Sequence, residues 1–351
     1  MTPRLRAAFV ALAYWVAASY TLASFLTHWG PRIGVELEST LGLSQARPYV
    51  VRVLTPLLVR GLVALVPSRA VPALLDGWGH GVPGLLATSA GWVGPPTVER
   101  LACTWLLFAS LLGTAFAWRS VARWAVPDRS LLADVVPAAG ILALPATFAR
   151  GGFLYDLPDL LLVSCCYLAF VRRRWVAWYS LLPVAVLNKE ASVLVVVWWL
   201  AVRDTTPRRT WWAHAAASAL LGAGVVVALA WYFRDRPGAF AQPNLVHNLG
   251  YWASFGWLFE WQDAFGMGVP QPVALDAIDL VVLAAVVGLG RRRVAPSVVR
   301  ALAWSAAAVA PLLVFFGFED EIRVFAVAIP PLVALGAGAA DALYSPAVHV
   351  L

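Results

Sequence analysis

The sequence predicts an all-α fold, a polytopic integral membrane bundle of about ten to twelve transmembrane or re-entrant helices, forming a single transmembrane domain over residues 1–351. Three observations carry that expectation. Hydrophobic residues make up 61% of the 351 residues and charged ones only 13%, too few to hydrate the surface of a soluble globule of this size. The apolar residues come in repeated runs long enough to cross a bilayer. The arginines gather in the short segments between those runs: Arg4, Arg6, Arg69, Arg119, Arg123, Arg129, Arg172 to Arg174, Arg203, Arg208, Arg209, Arg291 to Arg293 and Arg300. Basic residues so placed mark the cytoplasmic side, so the chain should be a multi-pass protein of the cell membrane with its N-terminus cytoplasmic. The net charge of +7 is explained by orientation and lipid headgroups, and no nucleic-acid partner is expected.

In chain order, a first span over about 7–27 leads into an outer loop, 28–49, that carries Glu36 and Glu38. Residues 48–67 are helical in period but contain Arg52 and Arg60. Each would cost roughly 2.5–3.5 kcal/mol at the centre of a lipid-facing helix, so both are expected to face protein. The stretch 71–92 is broken by glycine and proline and reads as a distorted span or a re-entrant segment. Spans are expected at about 98–118, 131–149, 158–171, 211–233, 274–290, 296–317 and 324–342. A second outer loop, 234–273, is rich in Trp, Tyr and Phe and suits a helix lying in the headgroup interface. Cys103, Cys165 and Cys166 sit inside apolar runs and imply no disulfide framework.

Residues 175–202 form a short hairpin. Two apolar runs, 175–187 and 191–202, meet at Asn188-Lys189-Glu190, and arginine clusters stand at both outer ends. Each limb rises only ~20 Å at 1.5 Å per residue, less than the ~30 Å hydrocarbon core. The tip is therefore expected within the depth of the membrane, where polar groups must face protein or a water-filled cavity.

Most acids fall at the ends of runs away from the arginines, a skew that the positive-inside rule does not require. Glu36 or Glu38 is a candidate general base, the bland alternative being two solvated loop acids. Asp156 and Asp159, three apart in FLYDLPDLL, share one helix face; Asp156 suits a helix cap, which does not account for Asp159. Lys189, the single lysine of the chain, is a candidate phosphate ligand, although Lys189 and Glu190 at the hairpin tip could equally neutralise each other. In FGFEDEIRVF, Glu319, Glu321 and Arg323 lie between the last two spans. Glu319 and Arg323 could pair at i,i+4, or the arginine could serve a lipid phosphate. The five histidines are scattered, so no metal site is proposed; no cofactor is expected, and a divalent cation has no support from the spacing of the acids.

An acidic pair after the first span, followed by Tyr49, Arg52, Leu54, Pro56, Leu57 and Leu58 in a Y-x-x-R-x-L-x-P-L-L stretch, resembles the GT-C class of integral membrane glycosyltransferases. The usual Asp-Asp or Asp-Glu pair is Glu-Leu-Glu here, and the C-terminal soluble domain of many members is not expected from these residues. The resemblance implies a GT-C-like bundle in a bacterial inner membrane. It also implies transfer of a hexose or pentose from a polyprenyl-phosphate-linked donor to a glycan, lipid or protein acceptor on the extracytoplasmic face. Glu36 or Glu38 would then be catalytic, and Arg52, Asp156, Asp159, Lys189, Glu190, Glu319, Glu321 and Arg323 would bind substrate. The rival reading is a transporter or lipid flippase with a charged intramembrane cavity.

Overall fold

The computed structural model describes residues 2–80, 97–148, 152–239, 243–263, 270–272, 275–317 and 322–344. The helices are α1 (Pro3–Leu41), α2 (Leu54–Ala64), α3 (Val71–His80), α4 (Val98–Ala125), α5 (Ser130–Thr147), α6 (Asp156–Val171), α7 (Trp175–Asn188), α8 (Arg208–Tyr232), α9 (Leu245–Ala253), α10 (Ala277–Gly290), α11 (Pro296–Phe316) and α12 (Ile329–Tyr344). A 3-10 stretch, Glu190–Val197, continues into one α-turn, Trp198–Ala201, and a second 3-10 stretch, Ile322–Ala328, leads into α12. Two three-residue strands, β1 (Trp261–Asp263) and β2 (Pro270–Pro272), pair antiparallel with Gln262 opposite Gln271.

Six helical segments are long and apolar enough to cross a membrane: Pro3–Leu41, Val98–Ala125, Ser130–Thr147, Arg208–Tyr232, Pro296–Phe316 and Arg323–Tyr344. By length and composition these are the candidate spans of a multi-pass membrane protein. A further pair, Leu54–Ala64 and Ser68–Asp76, is bent by 86° at a break inside the stretch 48–67 that was expected to be helical, and of the stretch 71–92 expected to be distorted or re-entrant, residues 81–92 lie outside the described residues. The remaining apolar helices are shorter, so the ten to twelve expected segments resolve into six of spanning length among the described residues, the bent pair and shorter pieces.

One boundary and one arginine differ from expectation. The first helix does not stop near residue 27 but runs to Leu41 in spite of Pro31, so most of the expected outer loop 28–49 is helix. Its buried side chains continue past the proline at Ile33, Leu37 and Leu41, and this apolar stripe holds the helix together as it leaves the bundle. Arg60 is exposed, whereas Arg52 is enclosed by protein. The outer segment 234–273 contains α9 and the β pair. Asn248 anchors α9 by donating to the carbonyls of Leu313, Val314 and Gly317, while Leu249, Phe255, Phe259 and Trp261 stay exposed, as an interfacial helix requires.

The interior is apolar and aromatic, and its few polar groups are used up locally. Trp118 donates to Ser164 at 2.8 Å, Trp178 and Trp199 both donate to Ser218 at 2.9 and 3.1 Å, and Trp198 donates to Ser305 at 2.9 Å. Each pair joins two different segments of the bundle, so one serine hydroxyl satisfies an indole that would otherwise be a buried orphan and fixes the packing of its neighbour.

Arg6, Arg119, Arg123, Arg129, Arg293 and Arg300 lie at one end and are tied to acids there. Asp134, at the start of α5, accepts from Arg6 of α1 and from Arg119 of α4 at 2.6 Å, with Arg123 at 3.4 Å. Asp341 near the end of α12 pairs with Arg129 at 2.7 Å and Arg293 at 3.5 Å, and Arg300 pairs with Asp204 at 3.0 Å. These contacts put the start of α1, the α4–α5 turn, the α10–α11 turn and the end of α12 on one face, the order expected from the positions of the arginines.

Helix α10 packs closely on α12 because Gly290 and Gly338 let the backbones approach. A Cβ on Gly290 would stand 2.3 Å from the Leu335 carbonyl oxygen, whereas one on Gly288 of the same helix meets nothing within 4 Å. Alanine at the two positions should therefore act in opposite directions. Gly288→Ala gains about 0.5–1 kcal/mol of helix propensity, while Gly290→Ala pushes the helices apart and lowers the thermal midpoint. Equal effects in a melting experiment would contradict this packing.

Candidate functional site

The opposite end of the bundle holds a cluster of ionisable side chains drawn from four parts of the chain. Its centre is the hairpin tip. Helix α7 ends at Asn188 because Lys189 turns to extended backbone, φ −154° and ψ 123°, after which the chain returns as the 3-10 stretch. The hairpin is real: Trp175, at the base of the first limb, lies 5.2 Å from Trp199, at the base of the second. Asn188, fully buried, donates to the Tyr155 carbonyl at 2.9 Å and accepts from Thr55 at 2.6 Å, which pins the tip to the start of α6 and to α2.

Helix α6 begins where Pro158 is compatible with a first turn. Asp156 and Asp159 stand in that turn, where the helix dipole favours negative charge, and Lys189 follows the C-terminus of α7, where it favours positive charge. Lys189 Nζ lies 3.1 Å from Asp156 Oδ1 and 3.9 Å from Asp159 Oδ2. Asp156 Oδ2 also accepts from Arg323 Nη1 at 3.2 Å and from the Phe153 amide at 2.9 Å, and Ser192 donates a short hydrogen bond to Asp159. Arg52 grips Glu190 with two parallel bonds, Nε to Oε2 at 2.9 Å and Nη2 to Oε1 at 2.6 Å. The side chains of Lys189, Asp156, Asp159 and Arg323 are only 2–8% exposed, whereas Arg52 and Glu190 reach 12% and 23% and form the more open side.

An aromatic shelf underlies these charges. Phe153 and Tyr155 stack at 5.3 Å and 10°, with Tyr49 5.3 Å from Phe153. The Arg52 guanidinium lies 4.3 Å from the centre of the Tyr155 ring, Arg323 lies 4.4 Å from that of Phe153, and Arg32 of α1 lies 4.8 Å from Phe153. The shelf can sit against α1 because residue 152 is glycine: a Cβ there would come within 2.5–2.7 Å of Trp29 and Phe25. The Tyr155 hydroxyl is buried without a hydrogen-bond partner among the described residues.

Arg52, Asp156, Asp159, Lys189, Glu190 and Arg323 are therefore brought together as the sequence suggested. Two expectations are corrected. Lys189 and Glu190 do not neutralise each other; adjacent in extended and 3-10 backbone, they pair in different directions, to Asp156 and to Arg52. Glu36 and Glu38 are not in a loop but on the last turns of α1. Glu36 accepts from Arg32 at 3.1 Å, one helical turn away, and Glu38 is exposed. Neither contacts the six among the described residues, although Arg32 links Glu36 to the Phe153 face. Glu319 and Glu321 lie outside the described residues.

Reasoning from sequence missed Phe153, Tyr155, Thr55, Asn188 and Ser192 as members of the site; the aromatic flanks of the YD pair were the available signal. Asp276 caps α10 by accepting from the Ile278 amide at 2.6 Å. Among the described residues, no three His, Cys, Asp or Glu side chains are grouped so as to hold a metal ion.

Six charged groups, three of each sign, thus occupy a site that lipid could not solvate, and the removal of one partner leaves another uncompensated. Lys189→Met should cost about 3–5 kcal/mol, the usual penalty for breaking a buried pair. Adding Asp156→Asn and Asp159→Asn should recover part of that loss. Strictly additive losses in such a cycle of melting measurements would contradict the pairing. Compared with known proteins, the chain matches no family model, no curated protein and no solved structure.

Proposed function

We propose that the chain is a membrane glycosyltransferase. In this reading it takes a sugar from a polyprenyl-phosphate-linked donor and passes it to an acceptor on the extracytoplasmic face, the arginine-rich end being cytoplasmic. One observation carries the reading: Arg52, Lys189 and Arg323, from three separate segments of the chain, are gathered over one aromatic shelf and held by acids at the end of the bundle opposite Asp134 and Asp341. Such an assembly costs folding energy, because desolvating several charges is expensive.

The transfer breaks the bond between the sugar's anomeric carbon and the phosphate oxygen and forms one from that carbon to the acceptor oxygen. The acceptor's hydroxyl proton goes to a carboxylate, and the polyprenyl phosphate departs with the electron pair. Charge develops on the departing phosphate, which is where fixed cations act. Arg52 is the best placed of the three, since its two bonds to Glu190 use only part of a five-donor guanidinium and it lies on the more open side. Lys189 and Arg323 add fixed positive charge behind it, and Asp156, Asp159 and Glu190 hold the cations in position. The unpartnered Tyr155 hydroxyl suits a sugar hydroxyl, because a buried donor without a partner is costly. Glu36, tied to the shelf through Arg32, is assigned as the base, and Glu38 is given no role in the chemistry.

The transporter reading is weakened by where the charges are. Among the described residues, the buried acids and bases sit at helix ends, Asp134 and Asp341 at one end, Asp156, Asp159, Lys189 and Arg323 at the other, and Asp276 at the start of α10, and tryptophan–serine pairs and apolar side chains fill the interval. A transport path would carry polar groups through that layer.

The test is transfer, or release of polyprenyl phosphate, by purified protein in vesicles supplied with a panel of polyprenyl-phosphate sugars. Arg52→Met should lower the rate by roughly 10²–10³, the usual cost of removing one such electrostatic group. Glu36→Gln should lower it by roughly 10²–10⁴ as the loss of a general base, and Glu38→Gln should leave it intact. Undiminished turnover in the folded Arg52 and Glu36 variants would remove the proposal.

A further inference from the structure

A second built feature lies at the arginine-rich end, on the outer side of the hairpin's return limb. Between that limb and α8 runs a groove of about 300 Å³, with Val196, Val197 and Leu200 on one wall and Ala215, Ala216 and Ala219 on the other. Trp211 and Trp212 close its arginine end and at the same time line a second pocket of about 210 Å³, whose other walls are Arg203, Asp204 and Arg208. The groove and the pocket thus lie side by side, with the two tryptophans as their common wall. Trp211 is buried and fixed by donating to the Trp199 carbonyl at 2.5 Å, whereas Trp212 is 56% exposed, at a depth where aromatic side chains favour the interface. The Arg203 guanidinium lies 5.9 Å from the Trp211 ring centre. Asp204 does not cancel the arginines of its pocket, because Arg300 takes its carboxylate at 3.0 Å.

The shape and charge call for a ligand with an apolar chain and one anionic head, set side by side along the membrane normal. We propose that the groove and pocket hold an anionic phospholipid, with its phosphate between Arg203 and Arg208 and one acyl chain along the alanine wall of α8. A zwitterionic lipid brings a cation into a pocket that already has an arginine excess, and a soluble anion leaves the groove unused. The lipid would also brace a weak element. The limb it covers includes an eight-residue 3-10 run, Glu190–Val197, and such runs are seldom longer than 3–4 residues because their hydrogen bonds are poorly aligned. Nearer the hairpin tip the limb already leans on α8, where Gly222 admits the Val193 side chain: a Cβ there would be 2.6 Å from Val193 Cγ2. This proposal does not depend on the transferase reading, since it concerns the other end of the limb.

Native mass spectrometry of the delipidated protein in detergent, titrated separately with phosphatidylglycerol, phosphatidylcholine and inorganic phosphate, tests it. Phosphatidylglycerol should bind in preference to phosphatidylcholine. Arg203→Ala with Arg208→Ala should weaken that binding roughly 30-fold, at about 1 kcal/mol per arginine near the headgroups. Ala216→Trp, which fills the groove and leaves both arginines in place, should also weaken it. Arg291→Ala with Arg292→Ala, which removes the same charge from an exposed turn at the same end, should not. Equal binding of phosphatidylcholine, competition by inorganic phosphate alone, or equal losses in the two double-arginine variants would overturn the assignment.

Discussion

The structure depends on one ammonium group. Lys189 stands at the break between the two limbs of a hairpin that is too short to cross the membrane, and its charge lies 3.1 and 3.9 Å from the first-turn carboxylates of α6. Without it, two acids three residues apart would be buried with like charge on one helix face. With it, the tip of the hairpin is held to the start of α6, and the tip then places Glu190 where Arg52 can grip it. Asn188 and Ser192, on either side of Lys189, make the neutral part of the same joint, to the Tyr155 carbonyl and to Asp159. Lysine suits this position because a compact point charge can serve two acceptors at different distances, while the planar fork of Arg52 suits a single carboxylate met edge on.

The bundle separates its charges into two end layers and keeps the middle dry. At the arginine-rich end the carboxylates are minority members: Asp134 gathers three arginines and Asp341 two, and the effect is to fix helix ends relative to one another. At the other end, acids and bases are matched and lie against aromatic rings. Between the two, tryptophan–serine pairs satisfy polar groups two at a time, which lets wide indoles fill the core without leaving an unpaired N–H in a region that water does not reach.

The elements most legible in the sequence were those set by hydrophobic run length and arginine position. The hairpin was visible because both limbs fall short of the bilayer and both bases carry arginines, and the convergence of Arg52, Asp156, Lys189 and Arg323 followed from the cost of leaving them in lipid. What run length could not show was where a helix ends in water. Helix α1 continues to Leu41 because its apolar stripe does, so Glu36 and Glu38 ride on a helix and Glu36 meets Arg32 instead of the cluster. Nor could sequence spacing decide between local and distant partners. Lys189 and Glu190 are adjacent, yet each finds its partner elsewhere in the chain, because the extended conformation of Lys189 and the 3-10 turn after it send the two side chains apart. Asp134 was passed over because a lone acid inside an apolar run gives no sign of which arginines will surround it.

In the proposed function the ion-paired hairpin tip is where a lipid phosphate meets its cations. Photocrosslinking with a polyprenyl-phosphate sugar carrying a photoreactive group beside the phosphate addresses it most directly, followed by peptide mapping of the labelled protein. Adducts should concentrate around Arg52, in 152–160 and in 188–192, and be suppressed by unlabelled donor. Adducts confined to the arginine-rich end, or spread evenly over lipid-facing helices, would contradict it.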